Sequence, residues 1–117
     1  MKNLFEVEFL DEAYEFLKAL SPKHSTKILY NIRKAQAGHD PEIFKKLNNE
    51  IWEFRTLYQG IQYRLLAFWD KDLPAHTLVI STQGFIKKRS KVPENEIRKA
   101  EQIRLKYFLD KKKFNNK

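Results

Sequence analysis

The 117-residue chain has no cysteine. That excludes a disulfide framework, thiol catalysis and cysteine-based zinc sites. It fits a reducing compartment, so the expectation is a cytoplasmic protein. No apolar run approaches the ~18 residues that a membrane-spanning helix needs. The amino terminus, Met1-Lys2-Asn3-Leu4-Phe5-Glu6-Val7-Glu8, carries acids where the apolar region of a signal peptide would lie. Histidine is scarce and scattered. His24, His39 and His76 share no metal-ligand spacing such as i, i+4, and each reads as an ordinary surface residue. A glycine-rich phosphate loop, a Ser-His-Asp set and a carboxylate cluster for magnesium are also missing. No metal or cofactor is expected.

Positive charge and aromatic bulk are abundant instead. Lys and Arg number 23 against 15 Asp and Glu, a net charge of +8. Such a balance favours polyanionic partners: nucleic acid, an acidic protein segment or a membrane surface. The charge is concentrated at Lys87, Lys88, Arg89 and Lys91, with no acid among them, and again at Lys111, Lys112, Lys113 and Lys117. Nine Phe, five Tyr and two Trp supply large core pieces for a single domain.

Periodicity divides the chain into α and β segments. Lys2–Phe9 alternates as a first strand, with Leu4, Glu6 and Glu8 on one side and Phe5, Val7 and Phe9 on the other. Asp11 is placed to cap a short helix carrying Ala13, Phe16, Leu17 and Leu20. Ser21-Pro22 then restarts a second helix, with Ser as N-cap and Pro at the first helical position. Its stripe is Ile28, Leu29, Ile32 and Ala35, and Gly38 ends it. The two helices are expected to form an antiparallel hairpin. Residues 38–41 read as a loop, and 42–49 as an irregular segment or short helix. Strands are predicted at about 51–57, 61–69 and 77–85, with a turn at 70–75 between the last two. Pro93 opens a final helix with Ile97, Ala100, Ile103 and Tyr107 as its stripe. The domain is expected to span 1–109, followed by a basic, flexible tail over 110–117. The first strand has to join the sheet, and the helical hairpin has to cover its apolar face. The other face is left partly open beside the last helix.

The segment from Ile51 to Trp69 is the most informative. Gln59-Gly60 reads as a two-residue turn, since Gly supplies the positive φ that tight hairpin turns need. This register pairs Tyr58 with Ile61, Arg55 with Arg64 and Glu53 with Leu66. Glu53, Arg55, Gln62 and Arg64 then share one face, and Trp52, Phe54, Tyr63, Leu65 and Ala67 share the other. A slip of one residue would mix the two sets. Two like charges directly opposite each other are destabilising. A fold that keeps such a pair is set up to hold an anion.

These residues carry a resemblance. Lys45-Lys46-Leu47, Ile51-Trp52-Glu53-Phe54-Arg55, Tyr63-Arg64-Leu65, Gly84-Phe85-Ile86-Lys87-Lys88 and Val92-Pro93 with the helix start at Glu96–Ala100 occur in that order. Their order resembles the RelE/ParE superfamily of bacterial toxins, most closely its HigB-type, phage Gp49-like branch. The resemblance implies an α+β, RelE-like microbial RNase fold: a small antiparallel-containing sheet, an N-terminal helical hairpin on one face, and a C-terminal helix. It implies the toxin of a type II toxin–antitoxin pair that cuts messenger RNA in the ribosomal A site without a metal. The implied partners are a helix-turn-helix, HigA-like antitoxin, the ribosome with its messenger RNA, and operator DNA only through the antitoxin complex. Ile51 and Phe54 replace leucines of the branch pattern. Gln83 stands where the branch often has a histidine before the glycine. The ParE arm shares the layout but poisons DNA gyrase, and a degenerate member would only bind its antitoxin or operator DNA. Fold alone does not separate these activities.

Under the nuclease reading the substrate's own 2′-hydroxyl is the nucleophile, and the protein must stabilise the charge gathering on the phosphate. Arg55 and Arg64 are suited to forked hydrogen bonds with phosphate oxygens. Lys87 and Lys88 follow the last strand and are candidates for holding phosphate or acting as acid, because neighbouring cations lower a lysine pKa. Glu53 is the one carboxylate on the predicted face, a general base or the ion-pair partner of an arginine. Lys45, Lys46, Arg89 and Lys91 are candidate RNA or ribosome contacts, with Phe85 and Tyr58 as stacking surfaces.

Overall fold

The computed structural model describes residues 3–72 and 78–115. The predicted turn at Pro74, and His76, lie outside the described residues. In chain order the elements are β1 (Glu6–Phe9), α1 (Asp11–Ala19), α2 (Pro22–Ala37), β2 (Phe44–Lys46), β3 (Trp52–Tyr58), β4 (Ile61–Asp70), β5 (Leu78–Ile86) and α3 (Glu94–Asn115). The strands form one mixed sheet of order β1-β5-β4-β3-β2, with β1 parallel to β5 and the other pairs antiparallel. The protein is α+β, as expected. Among the described residues no helix is long and apolar enough to cross a membrane.

Each face of the sheet has its own core. On one, Phe54, Tyr63, Leu65, Ala67 and Val79 meet Ala13 and Leu17 of α1 and Ile28, Ile32 and Ala35 of α2. On the other, Leu66, Phe68 and Ile80 meet Ala100 of α3, with Ile97, Tyr107 and Phe108 packed around them. The predicted stripe of α3 therefore faces the sheet at three of its four positions. α3 covers only the part of this face away from the β3–β4 turn. At the turn end, Leu57 stays 66% exposed and Gln62 is exposed.

The predicted hairpin register is present in full, from Trp52↔Ala67 through Arg55↔Arg64 to Tyr58↔Ile61. Gln59 and Gly60 both have positive φ, 51° and 79°, as a type I′ turn demands. Gln59 is a poor residue for that region. His24 steadies it from α2: Nε2–H donates to Gln59 Oε1 at 3.2 Å, and the Tyr63 hydroxyl donates to Nδ1 at 2.7 Å. His24 is thus a brace between helix and hairpin, not the ordinary surface residue the sequence suggested.

Several local expectations need correction. Residues 44–46 are an edge strand, not an irregular segment or helix. Ile43 and Phe44 are both buried, and consecutive buried residues hide the period of two on which a strand is read. Leu10, not Asp11, is the N-cap of α1. Asp11 and Glu12 lie in the first turn, where negative charge complements the helix dipole. Ser21 and Pro22 hold the predicted positions in α2, but the Ser21 side chain makes no capping bond. α3 runs past Asp110 into the residues read as a tail. Its last turns are tied to β4, since Lys111 Nζ and the Tyr107 hydroxyl both donate to Asp70 Oδ2 at 2.7 Å.

Asp70 is fully buried. Burial alone would raise its pKa, but the hydrogen bonds from Lys111 and Tyr107 outweigh that and hold it below the usual carboxylate value. Its contribution to stability is therefore complete above the unfolded pKa and lost as pH falls through the folded one. Stability should decline as pH drops below about 4. Asp70→Asn should flatten that acid limb and cost about 2–4 kcal/mol at pH 7, read as a lower urea midpoint at unchanged slope. Gly84 allows α1 to approach β5, because a Cβ there would lie 2.7 Å from Phe16 Cγ and 2.8 Å from Leu65 Cδ2. Gly84→Ala should cost about 1–3 kcal/mol by overpacking, and Phe16→Leu in the same chain should recover part of it. Thermal melts of the wild type and the two variants check this.

Candidate functional site

Alternation along the strands decides which side chains meet at the open end of the α3 face. Lys45 pairs with Glu53, Arg55 with Arg64, and Arg64 with Phe85. Lys87 lies two residues beyond Phe85, and its backbone N–H is fixed to Gln62 O at 2.8 Å. The result is one cluster: Lys45, Glu53, Arg55, Arg64, Phe85 and Lys87.

Arg64 and Glu53 form its buried floor, at 3% and 4% exposure. Arg64 Nε lies 2.8 Å from Glu53 Oε1, a close ion pair with bent hydrogen-bond geometry. Nη1 donates to Tyr63 O and Nη2 to Gln62 Oε1, both at 3.0 Å. A guanidinium has five N–H donors, so one on each terminal nitrogen is left over. Burial pulls the Arg64 guanidinium below its ordinary pKa; Glu53 opposes that pull and Arg55 adds to it. Arg55 is half-buried and has no ion-pair partner among the described residues. The Lys87 ammonium is held below the ordinary lysine value, first by burial and then by repulsion from Arg64, Arg55 and Lys45, against the attraction of Glu53. Four cations thus share one carboxylate, and that carboxylate is engaged with the deepest of them. The arrangement is suited to an oxyanion approaching from the turn end of the sheet.

Other sequence-predicted residues fall elsewhere. Lys88, Arg89 and Lys91 are exposed on the loop from β5 to α3. Arg89 and Lys91 line a shallow cavity there with Pro93 and Arg98. Lys46 alternates with Lys45, pairs with Trp52 and lies in a groove with Trp52, Trp69 and Lys71, so the strand separates it from the cluster. Tyr58 also points to the opposite face, edge-on to His24 with ring centroids 5.0 Å apart, in a groove with Tyr30 and Lys27. Lys46 is a candidate through the resemblance and Tyr58 as an aromatic surface, whereas their even numbers on β2 and β3 match those of Trp52 and Phe54. Phe85 shares the face of Arg64, but half of it is packed into the α3 core. Gln83 is buried and donates to Glu96 O at 2.8 Å, fixing the first turn of α3. Gln62 is the residue the sequence reading left out, although its alternation already put it on this face. Among the described residues no group of His, Asp or Glu is placed to hold a metal ion.

The Glu53–Arg64 pair is buried deeply enough to test by exchange. Glu53→Gln should cost about 3 kcal/mol, because it leaves a buried guanidinium without its counter-charge. The double variant Glu53→Leu, Arg64→Met should melt close to the wild type, since a packed apolar pair replaces an ion pair at little net cost. Thermal melts of both variants read the difference.

The sequence profile of the phage derived protein Gp49-like (DUF891) family matches residues 15–106. That span runs from α1 into α3 and takes in every residue of the cluster. Among curated proteins, none matches the chain. With four-fifths of its length covered by the family profile, the chain belongs to the phage derived protein Gp49-like family.

Proposed function

We propose that the protein is the toxin of a type II toxin–antitoxin pair, and that it cuts messenger RNA on the ribosome without a metal. Family membership is compatible with this. The observation that carries it is the cluster of Arg55, Arg64, Lys87 and Lys45 around the single carboxylate of Glu53. In the reaction the 2′-hydroxyl gives its proton to solvent water as the 2′-oxygen attacks the adjacent phosphorus, the bond to the 5′-oxygen breaks, and a 2′,3′-cyclic phosphate and a 5′-hydroxyl result. The burden on the protein is extra negative charge on the phosphate oxygens and a proton for the departing 5′-oxygen. Preorganised cations answer the first demand without reorganising at the moment of reaction. Arg55 and the free N–H groups of Arg64 take the phosphate oxygens. Lys87, with its lowered pKa, gives the proton to the leaving group. Glu53 holds Arg64 in place and does not reach the substrate as a base. Lys88, Arg89 and Lys91 dock on ribosomal RNA. The partner that silences the site is a helix-turn-helix, HigA-like antitoxin with an acidic segment, and operator DNA is reached only through that complex in the cytoplasm.

Arg55 and Lys87 are the informative substitutions, because neither lies in the buried floor. Induced expression in a bacterium, with mapping of the 5′ ends of cellular messages, should show in-frame cuts for the wild type. Arg55→Ala and Lys87→Ala should each weaken the cuts by about 100-fold or more. The wild-type rate should fall on the alkaline side at a pH below the ordinary lysine value, where Lys87 loses its proton, and Lys87→Arg should remove that limb. Growth arrest with intact messages and damaged DNA would replace this reading with gyrase inhibition.

A further inference from the structure

Gln62 makes two contacts that bear on different cations. Its side-chain Oε1 accepts from Arg64 Nη2 at 3.0 Å. Its backbone carbonyl accepts the Lys87 N–H at 2.8 Å. Arg64 comes from the middle of β4, and Lys87 lies just beyond the end of β5. One residue therefore sets the plane of the guanidinium and the start of the basic loop. Gln62 is itself exposed, so its side chain is not held there by the core. An exposed glutamine that only met solvent would keep its rotamer freedom; this one is fixed by a charged donor, the stronger class of hydrogen bond.

The remaining geometry depends on that contact. Arg64 has two protein hydrogen-bond acceptors, Tyr63 O and Gln62 Oε1, and the Glu53 carboxylate as a close counter-charge at Nε. Tyr63 O and Glu53 act on Nη1 and Nε and fix the near side of the guanidinium. Gln62 Oε1 acts on Nη2 and, together with Tyr63 O on Nη1, sets the guanidinium plane and so the direction of the spare N–H on each terminal nitrogen. An acceptor that is neutral also leaves the cationic character of the cluster intact, which a carboxylate at this position would reduce.

We infer that Gln62 is a positioning residue of the site, orienting Arg64 toward the phosphate through its side-chain oxygen. The inference rests on the nuclease reading for its effect on rate, but not for its effect on Arg64. Two variants test it: Gln62→Leu keeps the bulk and removes the acceptor, and Gln62→Glu restores an acceptor. The first readout is order of the Arg64 Nε–H in the free protein, by ¹⁵N relaxation. Gln62→Leu should mobilise it, and Gln62→Glu should leave it ordered. The second readout is cleavage of a ribosome-bound message at varied ribosome concentration. Gln62→Leu should lower the saturating rate roughly 10- to 100-fold, as misplacement of a reacting group does. Its half-saturating concentration should stay within about twofold of wild type. Gln62→Glu should recover much of the saturating rate.

An Arg64 signal equally ordered in Gln62→Leu would overturn the inference, and so would an unchanged saturating rate in a protein whose wild type cuts. If the wild type does not cut at all, the nuclease reading falls, and the relaxation measurement alone decides the role of Gln62.

Discussion

Everything at the open end of the sheet depends on burying one arginine. Arg64 lies in the middle of β4, directly opposite Arg55, so the hairpin places two like charges side by side. A buried guanidinium without partners would cost several kcal/mol. Glu53 answers that cost with its charge from the next position on the same face, while Tyr63 O and Gln62 Oε1 satisfy two of the guanidinium's donors. The pair also accounts for the rest of the cluster's chemistry. Because Glu53 is engaged with Arg64, neither Arg55 nor Lys87 has an ion-pair partner among the described residues. An apolar pair of similar volume is expected to cost the fold little, in keeping with the proposal that the pair serves an incoming anion.

The two faces of the sheet divide the work. α1 and α2 cover most of one face, bringing Phe16 onto Gly84 and His24 onto the hairpin turn. α3 covers the other only in part and is held at its far end by the buried Asp70, Tyr107 and Lys111. That clamp keeps α3 over Leu66, Phe68 and Ile80, away from Leu57 and Gln62, so the cation cluster stays accessible. At its near end Gln83 fixes the helix start through Glu96 O. That residue therefore serves the packing of α3.

The hairpin was legible because three independent signals agreed: a glycine at the turn, strict alternation on both strands, and the mixing of apolar and charged sets in any shifted register. The first strand was legible by necessity, since its apolar side needs the sheet. β2 was not, because Ile43 and Phe44 are buried in succession and the strand is only three residues long. Lys46, a candidate through the resemblance, and Tyr58, a candidate as an aromatic surface, lie on the face opposite the cluster, as counting along the strands already gives. Contacts that span the chain carried no local signal at all. The brace of His24 on Tyr63 joins residues 39 apart, and the clamp of Lys111 on Asp70 joins residues 41 apart. Helix length followed the same rule: α3 continues through Lys111 because a partner on β4 awaits it, and nothing in the lysine-rich sequence says so.

In the proposed reaction Arg55, Arg64 and Lys87 converge on one phosphate. The most direct measurement is a titration with a short RNA that carries a 2′-deoxy block at the cleavage position, read by ¹⁵N signals of arginine Nε and lysine Nζ. The account predicts saturable shifts at Arg55, Arg64 and Lys87, with Lys46 and Lys27 on the opposite face silent. Shifts confined to the opposite face, or to the carboxy-terminal lysines, would contradict it.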